Sequence, residues 1–487
     1  MGSNNSAAIF VASRAGNDVG ASFPHIFFRL RDPELKSSRQ HCSIHQFPRL
    51  LGLGSWMINT AARNAFLAYY AVEPDDHNEQ QAITMGTVFG RSLIVDRYFE
   101  THMKELEDAL EQGYKQLIAG GYTTYASHIV GLRFGPAIRQ LVAQGRMPVR
   151  FAWYHRLCQQ VEPDMEGCFL RVGDLQGMGD RNSYFWNIGL TLGAIDLGSG
   201  ESCTTADHIP PEEKAKELCY LAPDSSAIGW RDVGYRKAVY TALRNRYRYT
   251  ANHVSADRAF DYLMDLMEQV MKDNPDITLD FMRSMRISGD HCHQYPRKDQ
   301  VPRMKNLGMM VSCNSGGGVT NMKDLREMYG VNFLNKIASP KDMIAGGVMV
   351  AAETEGVDYG NNKGRTVPAL LYRLLDKTDD PQFSDRIIDR VSMMKMMTTW
   401  PSYYVLGEDR VGSLAPGKMA DFLVLNKDFF SVPLKEVPTV YPVVTVVGGK
   451  ISVVRQEAAS DLGLTTMGPQ IDFSFETAEG GQFGGEG

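Results

Sequence analysis

Seven side chains able to bind a metal or move a proton close short β-like runs along the chain: His128, His155, His253, Asp290 with His291, and Glu353 with Glu355. Imidazoles and carboxylates hold zinc and similar divalent ions and activate water on them. A single histidine near a strand end is more often a hydrogen-bonded core or surface residue. Four histidines closing successive runs point to one polar catalytic or metal centre, provided the runs converge on one face.

Alternation along a strand lets His291 and His293 share a face while Cys292 points away, so His291 is the expected inward ligand and His293 a supporting or structural residue. His41 and His45 stand one helical turn apart but lack a nearby acid partner, and that stretch reads as a loop. The glycines from Gly316 to Val319 have neither a phosphate-loop lysine nor dinucleotide-fold spacing; they read as a strained turn after a strand.

The elements that must carry these residues are seven β runs: 122–128, 149–155, 188–196, 247–253, 285–291, 308–313 and 347–355. Helix-like text separates most of them. Over 257–272, Phe260, Leu263, Met264, Met267, Val270 and Met271 trace one helical face, with Ser255 as the expected cap and Pro275 beyond the end. Those methionines read as core packing. An earlier helical run carries Met103, Leu106, Leu110, Leu117 and Ile118 and is closed by Gly120-Gly121. Strands alternating with helices call for a parallel sheet, and this many units suits a (β/α)8 (TIM) barrel, one strand short because nothing before Tyr122 reads as a barrel strand with its own helix. In such a barrel the site lies at the carboxyl ends of the strands. Beyond Pro401 the text turns to short β runs, with Gly448-Gly449 between two β-branched stretches as a hairpin turn requires.

The expected organisation is an irregular N-terminal segment over 1–52, a barrel over 53–400, β-sandwich strands over 401–460 and a Gly-rich flexible tail over 461–487. With 487 residues, 43% apolar, 22% charged and 46 glycines, the chain has the composition of a folded protein with a sizeable core. A net charge of −6 supplies no basic field, which argues against nucleic acid as the main partner. No stretch approaches the ~18 consecutive apolar residues of a membrane span, and MGSNNSAAIF lacks the basic and apolar parts of a secretory leader, so the expected address is cytoplasmic without a membrane partner. Seven widely spaced cysteines without a C-x-x-C pair are expected to be reduced, buried thiols.

Several segments together resemble the amidohydrolase superfamily, within it the branch of N-substituted formamide deformylase-like proteins. The most specific is MKMMTTWPSYYVLGEDRVGSLAPGKMADFLVLNKDFF followed by VVTVVGGK; GSWMINTAARNA, GGYTTYAS, NHVSADRAFD and MRISGDHCHQYPRKDQVPRMKNLGMMVSCNS match in order upstream. The likeness spans about Gly52 to Lys450. It implies that His253 and His291 are the metal-ligand histidines of the fifth and sixth barrel strands, and that Glu355 stands where the family has a metal-binding, proton-moving aspartate. The family's first-strand His-x-His pair has no counterpart, and Thr191 stands at about the position of the bridging lysine, so at most one ion is expected.

Two expectations follow. The first is a hydrolase of a C–N bond in a small amide or formamide: one divalent metal, zinc foremost, on His253 and His291 with His128 or His155, and Glu355 or Glu353 as general base and then acid. The second is a degenerate scaffold: a metal-free acid–base enzyme using His253, Asp290, His291 and Glu355, or a non-catalytic or split-enzyme subunit. A barrel lacking one strand exposes edges, so association with a second copy or a partner chain is expected.

Overall fold

The computed structural model describes residues 56–57, 84–85, 99–129, 133–155, 165–173, 182–191, 195–196, 202–206, 219–223, 235–250, 252–292, 294–314, 322–353 and 387–473. His41, His45, His293, Gly316–Val319 and Glu355 lie outside these residues, as does most of 1–98. Two short strands, β1 (Trp56–Met57) and β2 (Thr84–Met85), pair antiparallel.

All seven expected runs contain strand. They are β3 (Thr124–Ile129), β4 (Arg150–His155), β5 (Phe185–Leu190), β6 (Asn252–Val254), β7 (Ser288–His291), β8 (Met310–Asn314) and β9 (Met349–Glu353). Each pairs parallel with its neighbour in two sheets, β3-β4-β5 and β6-β7-β8-β9. Tyr249 bridges in parallel to Leu190, and Leu190 N–H donates to Arg248 (2.8 Å) while Thr250 N–H donates to Leu190 (2.9 Å), so the two sheets run on as one series. The chain is therefore α/β with parallel sheets.

Helices return the chain between strands, as parallel pairing requires. They include α1 (Met103–Ala119) before β3, α2 (Phe134–Ala143), α3 (Met165–Gly173), α4 (Tyr235–Arg244), α5 (Asp257–Asp273), α6 (Leu279–Ser284) and α7 (Val301–Leu307). The expected apolar face of α5 is buried, with Phe260, Leu263, Met264 and Met267 at 0% exposure. Its cap differs from expectation: Ala256, not Ser255, is the cap residue, because the Ser255 hydroxyl is turned to His253 Nδ1 at 3.3 Å.

Side-chain parity sorts the sheet into two faces. On one, Ala126, Ala152, Tyr154, Trp186 and Ile188 from β3–β5 pack with Met310 and Met349 from β8 and β9 and with Tyr404 and Val405. On the other, Phe151, Phe185 and Trp153 pack against Leu106 of α1 and Ile138 of α2. Contact between the first three and the last two strands across the first face makes it an interior.

The C-terminal layer is antiparallel, β10 (Phe422–Leu425), β11 (Pro442–Val447) and β12 (Lys450–Val454) in that order. Gly448 and Gly449 turn the β11–β12 hairpin with φ of 60° and 77°, values that a two-residue hairpin needs at both positions and that only glycine adopts at little cost. A buried fork of hydrogen bonds ties this layer to the parallel sheet: Arg150 donates from Nε to Asp421 Oδ2 at 2.7 Å and from Nη2 to Oδ1 at 2.9 Å. Arg150 is 1% exposed, so removing either partner strands the other's charge away from water.

The reduced-thiol expectation is corrected. Cys203 is disulfide-bonded to Cys219, and Cys292 to Cys313. These pairs are brought together by loop packing and strand pairing at sequence separations that carry no short spacing signature.

Candidate functional site

Four strands of the second sheet assemble one polar group. His253 of β6, Asp290 of β7 and Ser312 of β8 are register neighbours in successive parallel pairs and therefore share a face. Ser288 pairs with Met310, which belongs to the interior cluster, so this is the interior face. Asp290 accepts a 2.8 Å hydrogen bond from Ser288 Oγ, and Ser288 Oγ lies 3.4 Å from Thr250 Oγ1.

Simple alternation would send His291 to the face opposite Asp290. It does not go there, because His291 and Cys292 take φ of +83° and +52°, a left-handed region rare and strained for side-chain-bearing residues and concentrated at functional sites. The turn brings the His291 ring against the His253 ring, with centroids 4.3 Å apart at 62°. Glu353 at the end of β9 receives His291 from two directions: its Oε2 accepts the His291 backbone N–H at 3.0 Å, and its Oε1 is paired with Nδ1 of the imidazole. Ser312 Oγ also donates to Glu353 Oε2 at 2.8 Å. The Glu353 carboxylate thus stands against the Nδ1 edge of the imidazole.

Charge in this group is tuned by burial. Burial, with the nearby Glu353 carboxylate adding to it, pushes Asp290 well above the usual carboxylate range, so that it holds its proton to higher pH than an ordinary carboxylate does. Tyr154, on the same interior face, is pushed far up by burial and then by the charges of Tyr404, Asp290 and Glu353. His128 adjoins it, with ring centroids 5.6 Å apart. His128 thus stands on the interior face at the margin of the group.

His155 is not brought into it. It follows Phe151 and Trp153 in parity on the helix-covered face and lies against Trp153 with centroids 5.7 Å apart, and burial lowers its pKa to about 4. Thr191 comes directly after β5, fully buried, and its N–H donates to the His155 carbonyl at 3.0 Å. Of the two acids at the end of the last run, Glu353 makes the contacts described; Glu355 lies outside the described residues.

Asp196 is the residue the sequence reading passed over. The third strand stops at Leu190, so the acid that closed the expected run lies instead in the following loop. There its Oδ1 accepts the Ser255 N–H at 2.6 Å and its Oδ2 the N–H groups of Ala256 and Cys203 at 3.1 Å each. His253 Nδ1 lies 3.9 Å from its Oδ1. Burial pushes Asp196 up to about 8 against those three donors. Its place at the end of IGLTLGAID, the same position that flagged the other acids, was the available signal.

The donor set decides what a metal could use. His253 and His291 each have Nδ1 turned toward an acid or hydroxyl, the way supporting groups hold metal-ligating imidazoles. Among the described residues, however, no three His, Cys, Asp or Glu side chains form a group that could hold an ion. Two imidazoles fall short of the three protein ligands usual for a catalytic zinc site.

Comparison with known proteins agrees with the architecture. Residues 372–453 match a family model described as "Amidohydrolase family", the stretch that contains the most specific of the sequence segments. No curated protein matches. Among solved structures, the chain is similar to an uncharacterized metal-dependent hydrolase from Pyrococcus horikoshii OT3, at 15% identity over 78% of this chain and 71% of that one, with a TM-score of 0.54. It is similar also to an uncharacterized metal-dependent hydrolase from Pyrococcus furiosus, at 15% identity over 77% and 71% of the two chains, with a TM-score of 0.51. At such identities the likeness is one of fold.

Proposed function

We propose that this chain is a hydrolase of the amidohydrolase type acting on the C–N bond of a small amide or formamide, on a (β/α)8-type scaffold. The observation that carries the reading is the His291 imidazole held between the His253 ring and the Glu353 carboxylate at the carboxyl ends of parallel strands, where such folds keep their sites. The match over residues 372–453 and the two similar hydrolase structures support the class.

The roles follow from the contacts. Glu353 faces the Nδ1 edge of His291, and Nε2 serves as the basic edge; it takes the proton of a water attacking the carbonyl carbon, and Glu353 stabilises the resulting imidazolium. Asp290, whose protonated form is favoured by burial and by Glu353, supplies a proton toward the leaving nitrogen. His253, oriented by Ser255 and Asp196, presents the facing imidazole that orients the carbonyl. Were an ion bound, His253 and His291 would hold it and it would supply water activation; the third donor would have to come from outside the described residues.

The test is a panel of small amides and formamides with amine release as readout, run on the native chain and on Glu353→Gln, together with elemental analysis. Hydrolysis lost in Glu353→Gln, with no stoichiometric metal and no effect of chelator, is the expected result. Absence of hydrolysis across the panel, or a fully active Glu353→Gln, overturns the reading. Stoichiometric zinc, manganese or iron that disappears in His253→Ala would replace the metal-free mechanism with a metal centre.

A further inference from the structure

We propose that the Cys292–Cys313 disulfide is a positioning brace for His291, and that a dithiol reductant which opens it releases the imidazole from Glu353. The bridge is placed where the backbone most needs holding. β7 ends at His291, and the next step, His291–Cys292, is left-handed at both residues, +83° and +52°. That conformation persists in non-glycine residues only where surrounding structure over-determines it. In the β7–β8 pairing, the register partner of His291 is Cys313, so the bridge ties the residue after His291 to the residue facing His291 on the next strand. Both cysteines are buried, at 1% and 0% exposure.

The bridge also closes a ring of bonds around the site. From His291 the chain passes to Cys292, across the disulfide to Cys313 and back to Ser312, whose hydroxyl donates to Glu353 Oε2 at 2.8 Å. Glu353 then returns to His291 through its backbone N–H at 3.0 Å and through Nδ1. Opening the sulfur link removes the covalent tie across the left-handed step. The second bridge, Cys203–Cys219, stands elsewhere: the Cys203 N–H donates to Asp196 Oδ2 at 3.1 Å, so it bears on the His253 side. In the reductive step a dithiol such as dithiothreitol loses two electrons and two protons to become its cyclic disulfide, the Cys292–Cys313 bond breaks, and each sulfur gains a hydrogen.

The inference rests on the proposed function only for the importance of His291, and it is tested without substrate, so failure of either leaves the other standing. Proton NMR of the full chain reads the nuclear Overhauser cross-peak between the His291 and His253 rings, whose centroids lie 4.3 Å apart, assigned by its disappearance in His291→Gln. The expected result is loss of this cross-peak in Cys292→Ser/Cys313→Ser and its retention in Cys203→Ser/Cys219→Ser. Should the first variant fail to fold, native protein treated with dithiothreitol and alkylated at Cys292 and Cys313, with its circular dichroism retained, gives the same reading. A cross-peak unchanged when the bridge is broken overturns the proposal. So does the unreduced protein if it shows the cross-peak while alkylating at both cysteines.

Discussion

The first three strands of the parallel series and the last four carry the same kinds of residue at their ends, yet only the last four build a polar group. In β3 and β4 the histidines obey alternation: His128 is on the interior face and His155, opposite in parity, lies against Trp153 under the helices. In β7 alternation is broken at His291, and two adjacent side chains, Asp290 and His291, serve one site. Residue type at a strand end therefore does not decide membership of a site; the face does, and a single left-handed step can change it.

The largest effect that separates the two regions is on turnover. Glu353→Gln removes the group that orients His291 and is expected to lower amide hydrolysis by ~10²–10⁴-fold, whereas His155→Gln changes it by less than about twofold; steady-state rates on the same amide check both. Equal losses in the two variants would erase the distinction drawn here.

The next effect is on stability. Arg150 anchors the amino end of β4 to Asp421 across the layers, and Arg150→Ala is expected to cost about 3–5 kcal/mol by leaving the buried Asp421 charge alone. Denaturant unfolding reads this directly, and a cost under about 1 kcal/mol would show that the C-terminal layer is joined to the first strands by other means.

The two regions also differ in sign with pH. His155, lowered to about 4 by burial, stays neutral in the folded chain where the unfolded chain is protonated, so its contribution is complete above about 6.5 and is lost as pH falls through about 4. Asp196, raised to about 8 by burial, keeps its proton in the folded chain, so its contribution is complete below the ordinary carboxylate value and is lost as pH rises through about 8. Thermal unfolding across pH should therefore lose acid sensitivity in His155→Gln and alkaline sensitivity in Asp196→Asn. The smallest expected change is His128→Phe, which leaves hydrolysis within about threefold, because His128 stands at the margin of the group, against Tyr154.

Much of the scaffold was legible because its signals are local. Seven runs of β-branched and aromatic residues alternate with helix text, and each contains a strand; a glycine pair at 448–449 marks a hairpin because only positive φ makes that turn. The β faces were legible only as a choice of two: Phe151, Trp153 and His155 share one face in the sequence, but which face turns inward depends on what packs there. The left-handed step at His291, the capture of Asp196 by three backbone N–H groups and the Cys203–Cys219 and Cys292–Cys313 disulfides all depend on contacts between residues far apart in the chain. Ser255 illustrates the same limit, since its hydroxyl could serve the helix or His253 and tertiary packing chose the histidine.

The imidazoles of His253 in β6 and His291 at the end of β7 meet. A nuclear Overhauser measurement on deuterated protein with protonated histidine rings tests it: ring centroids 4.3 Å apart predict a strong cross-peak between the two imidazoles, lost in His253→Ala. Two assigned imidazoles without that cross-peak would contradict the account.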